Sequence, residues 1–245
     1  NAFAAGLNAG LTGQGISATA IGVKAGETAQ GSSAVAIGSE TASTTQGANA
    51  VALGRLAGNT NQGEYAVAVG RGAGQGDAND PDKGQGNYAV AIGKDAGKTT
   101  QGVQAIAVGL NAGYITQGEN AVAVGVNAGQ TTQGTSATAV GVNSGYTTQG
   151  DGATAVGYSA GLTGQNLNAV AVGRLAGAYN QGGRAVAVGV NAGQGDSNDP
   201  DKGQGDSAVA VGHAAGGTTQ GANAVAVGYA AANVAQGENA VAVGR

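Results

Sequence analysis

Residues 118–133 read GENAVAVGVNAGQTTQ, and residues 134–149 read GTSATAVGVNSGYTTQ. Laid one under the other, the two blocks agree column by column at a period of 16 residues. Within the first block, Ala121-Val122-Ala123-Val124-Gly125 alternates small and branched residues. A period of two over five residues is the signal of a strand, not of a helix.

Working outward, Ala-x-Ala-x-Gly ends at Gly6, Gly22, Gly38, Gly54, Gly70, Gly93, Gly109, Gly125, Gly141, Gly157, Gly173, Gly189, Gly212, Gly228 and Gly244. The steps are 16 residues, except that Gly70 to Gly93 and Gly189 to Gly212 are each 23. Both long units carry the same expansion, GQGDANDPDKGQG at 74–86 and GQGDSNDPDKGQG at 193–205, which lie 119 residues apart. RLAG recurs at the same distance, at 55–58 and 174–177. The two positions four and two before the motif Gly are alanine in every unit. The position one before is Val, Ile or Leu, except for Ala5. After the Gly comes a corner, usually ending Ala-Gly, and then a second short strand, typically Thr-Thr-Gln-Gly.

These columns predict an all-β chain, a parallel β-solenoid or β-roll with 16-residue turns and two 23-residue turns. Residues 1–245 read as a single continuous solenoid carrying a higher-order repeat of 119 residues. A unit this short closes no core alone and buries its faces only against its neighbours. At about 4.8 Å per rung, the turns would make a rod on the order of 70 Å long. Like residues would then stand over like. Gln14, Gln30, Gln46, Gln62, Gln85, Gln101, Gln117, Gln133, Gln149, Gln165, Gln181, Gln204, Gln220 and Gln236 form one column, and stacked side-chain amides can link from rung to rung. The alanine columns read as the narrow inside of the coil, with Val and Ile outward as an apolar stripe that calls for lateral packing of copies. The opposite reading fills the core with Val and Ile and turns Ala out.

Composition removes several classes. Fifty glycines and two prolines among 245 residues, without a Gly at every third place, exclude collagen. Apolar residues make up 41% and the net charge is −4, which is not the signature of disorder. A chain this mildly acidic reads as binding no nucleic acid. It has no cysteine for a disulfide or thiolate metal site, and no apolar run long enough for a membrane-spanning helix. It starts at Asn1 without a signal-peptide pattern, so it reads as a processed chain or a piece of a longer one.

The strands SAVAIG (33–38), NAVALG (49–54), YAVAIG (88–93) and NAVAVG (120–125) resemble the head repeats of YadA-like trimeric autotransporter adhesins. They are also similar to repeats in phage and algal-virus fibre proteins. The YadA-like resemblance implies a left-handed parallel β-roll, three chains to a head and a role at a surface. This chain departs from it in a longer unit and in the added Thr-Gln-Gly element.

The local chemistry worth weighing lies in the expanded units. Asp77, Asn79, Asp80 and Asp82, and likewise Asp196, Asn198, Asp199 and Asp201, cluster oxygen ligands suited to calcium. Pro81 and Pro200 stand where an EF-hand would need a ligand. The alternative is a protruding turn, because Asp-Pro-Asp-Lys-Gly is good turn chemistry; recognition of a partner is a third use. No other cofactor is expected. His213, the sole histidine, and Tyr65, Tyr88, Tyr114, Tyr146, Tyr158, Tyr179 and Tyr229 read as surface residues, with sugar stacking as the functional alternative for the tyrosines. No catalytic set recurs, so the chain reads as a non-enzyme.

Three functions remain. The first is an extracellular fibre or filament subunit, self-associating laterally or head to tail. The second is a cell-surface adhesin or virion fibre that binds a host glycan or receptor. The third is ice binding along the Thr rows, which Gly13, Ala29, Asn61, Asn180 and Ala235 interrupt.

Overall fold

The computed structural model describes residues 1–80, 82–199 and 201–244. Every element of secondary structure among them is a short strand or a turn, and no helix is formed. The chain divides into two compact units, Asn1–Val124 and Gly125–Arg245. Each is a parallel β-solenoid, and together they hold about fifteen turns.

In the first unit the motif strands run from Phe3–Ala5 through Val35–Ile37 and Val90–Ile92 to Val122–Val124. Each pairs in parallel with the next, Val35 on Val51 and Ala36 on Ala52. In the second unit Thr138–Val140 begins the series and Val241–Val243 ends it. The register survives both long turns: Val67 pairs with Val90 and Val186 with Val209. The seven extra residues are therefore looped out of the stack and shift nothing in it.

Alanine is inside. Ala34, Ala36, Ala121 and Ala123 are fully buried, as is the corner alanine of each complete internal turn, such as Ala57 or Ala128. Val35 and Val67 are half-buried, and Ile37 and Ile92 are exposed. The largest side chains wholly inside are the glutamines from Gln30 to Gln220. The core is thus methyl groups around a line of amides. Two corners replace alanine by a small hydroxyl residue, and each hydroxyl finds a carbonyl. Thr41 Oγ1 donates to Gly54 O, and Ser144 Oγ donates to Gly141 O at 3.0 Å.

The corners are made by left-handed backbone. In the turn after Gly125, Asn127 (φ 56°), Gly129 (φ 53°) and Ser136 (φ 56°) follow a motif glycine of φ 135°. Asn recurs at the first corner (Asn8, Asn111, Asn127, Asn143, Asn191), where a short polar side chain tolerates this conformation.

The second strand is weaker than the Thr-Thr-Gln pattern suggests. Between Gln30 and Gln85 it shrinks to single bridges from glutamine to glutamine. The cause lies one residue before the glutamine. Ala29 (φ 51°) and Asn61 (φ 49°) kink there, whereas Thr45 between them does not. Neighbouring turns that share the kink still pair, as Thr163 with Tyr179 around Gly164 and Asn180. So do turns that both lack it, as Thr100 with Thr116.

Candidate functional surfaces

Three features carry chemistry: the internal glutamine column, the outward aliphatic face and the two expanded turns.

Each glutamine does two things. Its Nε2 crosses the core to a carbonyl of the motif strand in its own turn, as Gln46 to Val35 O at 2.9 Å and Gln165 to Thr154 O at 2.8 Å. In most turns it also donates to the next glutamine's Oε1. The series runs Gln14, Gln30, Gln46, Gln62, Gln85 at 3.0–3.3 Å in the first unit. In the second it runs Gln133, Gln149, Gln165, Gln181, Gln204 at 3.1–3.2 Å. It is interrupted in each unit: the buried Oε1 atoms of Gln101 and Gln220 have no hydrogen-bond donor. The column then resumes from Gln220 to Gln236 at 3.1 Å.

The outward face follows from the alternation. With both alanines of each strand turned in, the two branched residues must turn out. Ile21, Ile37, Ile92 and Ile106 are each 37–40% exposed. Ile21, Ile37 and Ile92 stand in one register-aligned column with Leu53, Val69 and Val108, and Ile106 stands in the neighbouring column with Val90 and Val122.

The expanded turns are hairpins closed by their own carboxylates. Asp77 Oδ1 accepts from Asn79 N at 3.0 Å and Asp80 Oδ1 from Asp82 N at 3.2 Å. Asp77 N reaches Lys83 O at 2.9 Å, and Lys83 Nζ lies 3.2 Å from Asp80 Oδ2. The copy repeats this: Asn198 N to Asp196 Oδ1 at 2.9 Å, Asp201 N to Asp199 Oδ1 at 3.1 Å, and Lys202 Nζ to Asp199 Oδ2 at 3.2 Å. The Lys83 ammonium holds Asp80 below the ordinary carboxylate range, helped by the Asp82 amide. For Asp199 the Asp201 amide leads and Lys202 adds to it. Among the described residues no three acidic or histidine side chains converge as a metal cage. Pro81 and Pro200, expected to set these turns, lie outside the described residues.

Beside each hairpin runs a shallow groove. One, of about 330 Å³, is lined by Asn61, Asp82, Thr100 and Glu119. The other, of about 420 Å³, is lined by the equivalent Asn180, Asp201, Thr219 and Glu238. Tyr65 stacks on Tyr88 at 5.1 Å, and Tyr229 on His213 at 5.0 Å. In the Thr rows, Thr28 and Thr44 spend their hydroxyls on carbonyls of the following turn, Thr44 O at 2.7 Å and Asn59 O at 2.9 Å.

One set of charged residues lies outside the glutamine, aliphatic and hairpin features. Arg55, Arg71 and Lys94 follow the motif glycine in three successive turns, and all three are exposed. The signal was there, in a column filled in the rest of the first unit by Leu7, Val23, Ser39 and Leu110 and holding Arg174 as a further cation in the second.

Among the described residues no helix is long and apolar enough to cross a membrane. No curated protein matches the chain. The YadA head domain repeat does match, in 2 copies over residues 220–245. That repeat belongs to a non-enzymatic, surface-exposed adhesin type of domain, and a parallel β-solenoid is consistent with it.

Proposed function

We propose that this chain is a structural subunit of an extracellular fibre, whose copies pack side by side along the outward Val/Ile face. The observation that carries the reading is the inversion of the strand: methyl groups fill the inside, and the two outward places of each strand, both branched aliphatics in most turns and one of them Thr at 19, 138 and 154, are left outside in register. An apolar column repeated turn after turn favours a covered state. YadA-like domains form trimers and bind host surfaces in general, which supports both the lateral contact and display at a surface. Stacking end to end is a second mode of assembly, since strands of this kind add in parallel at any open edge.

The test is the mass of the purified protein in solution, with Ile37→Asp/Ile92→Asp beside it. Each buried isoleucine contributes on the order of 2 kcal/mol to a contact. The parent should run as a multi-chain species and the double variant as a folded single chain. A parent that stays monomeric at high micromolar concentration ends the lateral reading.

Binding of a host receptor is the second reading. The YadA head match favours it, and so do corner positions that vary from turn to turn while the core columns do not.

A further inference from the structure

We propose that Arg55, Arg71 and Lys94 form a cationic ladder that binds a sulfated linear polysaccharide; the inference rests on the surface-displayed reading above. Backbone hydrogen bonds set the three residues one above another. Gly72 N donates to Arg55 O at 3.0 Å, Asp95 N to Arg71 O at 2.9 Å, and Asn111 N to Lys94 O at 3.0 Å. Although 16 and 23 residues separate them in sequence, they therefore stand on adjacent rungs, about 4.8 Å apart.

No ion pair neutralises Arg55 or Arg71 among the described residues. Lys94 shares one carboxylate with Lys98: its Nζ is 3.4 Å from Asp95 Oδ2, and Lys98 Nζ is 3.3 Å from Oδ1. Asp95 is nearly buried and so holds both ammonium groups at the corner. The other carboxylate near the column is Glu40, in the turn before Arg55. The patch has four cations against two carboxylates, Asp95 and Glu40, in a chain whose net charge is −4. Like charges about 5 Å apart in water repel by roughly 0.8 kcal/mol a pair. The ladder is therefore unfavourable alone and relieved by a ligand that brings negative charge at a similar repeat.

The chemistry of that ligand is narrowed by the neighbours. Guanidinium groups pair with planar or tetrahedral oxyanions through two parallel hydrogen bonds. A single-stranded nucleic acid would want aromatic platforms beside the cations, and the tyrosine at this corner, Tyr114, is taken by Lys98, whose Nζ sits 5.2 Å from its ring centre. Closely spaced sulfates on a flexible sugar chain need only the charges.

The experiment is retention of the whole chain on immobilised heparin at low salt, followed by titration with a sulfated oligosaccharide and its desulfated counterpart. Three ionic contacts predict that raising salt from about 50 to about 200 mM weakens binding roughly 20- to 40-fold. Arg55→Gln/Arg71→Gln/Lys94→Gln should pass through unretained, with its circular dichroism and its mass in solution unchanged. Arg71→Gln alone should weaken binding roughly fivefold. Arg174→Gln/Arg184→Gln, in the second unit, should bind as the parent does. The proposal fails if the parent is not retained, if the triple variant is retained equally, if the desulfated sugar binds as well, or if single-stranded DNA binds more tightly at the same salt. Because the mass in solution is read on the same samples, failure of the ladder and failure of lateral assembly are told apart.

Discussion

A methyl group on Gly102 would stand 2.5 Å from the backbone of Gly118 in the next turn. The backbone there is not left-handed, so the glycine answers a close approach of two rungs and no special dihedral. Gly31, Gly86 and Gly205 occupy the same place in their turns. Asn166 is the exception, and its amide lies 3.0 Å from Gln181 O, against 2.8 Å for Gly102 to Gln117 O. A side chain there is accommodated by easing the rungs apart. Gly102→Ala is expected to cost about 2 kcal/mol through overpacking, read as a lower midpoint in denaturant. The motif glycines are fixed differently: Gly93 has φ 125°, and a Cβ would also meet Gly109 O at 2.5 Å. The need for glycine was legible in the repeat at both places. Which was a dihedral and which a contact was not, because both leave the same letter in the column.

At the level of the element, the glutamine column joins the two strands of a turn and each turn to the next. Gln46 donates to Val35 O and to Gln62 Oε1, and accepts from Gln30. Gln101 also crosses to its strand, at Val90 O, yet its oxygen is unpartnered. Removing Gln46 strands the buried Oε1 of Gln62, while Gln30 Nε2 keeps Thr19 O and Ala34 O; removing Gln101 takes away an oxygen that is already unsatisfied. Gln46→Met should therefore cost about 3 kcal/mol and Gln101→Met about 1 kcal/mol. Equal losses in a thermal or chemical melt would mean that the amide line contributes nothing beyond its packing. The column itself could be read off the sequence. The lapses at Gln101 and Gln220 could not, since the same letter stands in the column whether or not its oxygen finds a donor.

For whole units, each turn rests on its neighbours and on nothing more distant in sequence. Removing residues 39–54, one complete turn, should leave a folded β protein that is modestly less stable. Removing residues 39–46 alone should destroy the register locally, since half a turn sets motif strand against second strand. Circular dichroism and melting of the two deletions decide it; similar behaviour of both would contradict one rung per period. The period, the strands and the parallel pairing followed from the sequence by itself, because a strict repeat leaves like residues no place but over one another; which face turned inward stood open between Ala and Val/Ile, and the structure placed the alanines inside. The tertiary structure alone decided how the two strands of one turn face each other, and so gave glutamine its path across the core. It alone decided that the 23-residue turns eject their extra residues as carboxylate-closed hairpins, and where the second strand kinks. These depend on backbone dihedrals at the corners and on separations of a few tenths of an ångström, and a pattern of letters records neither.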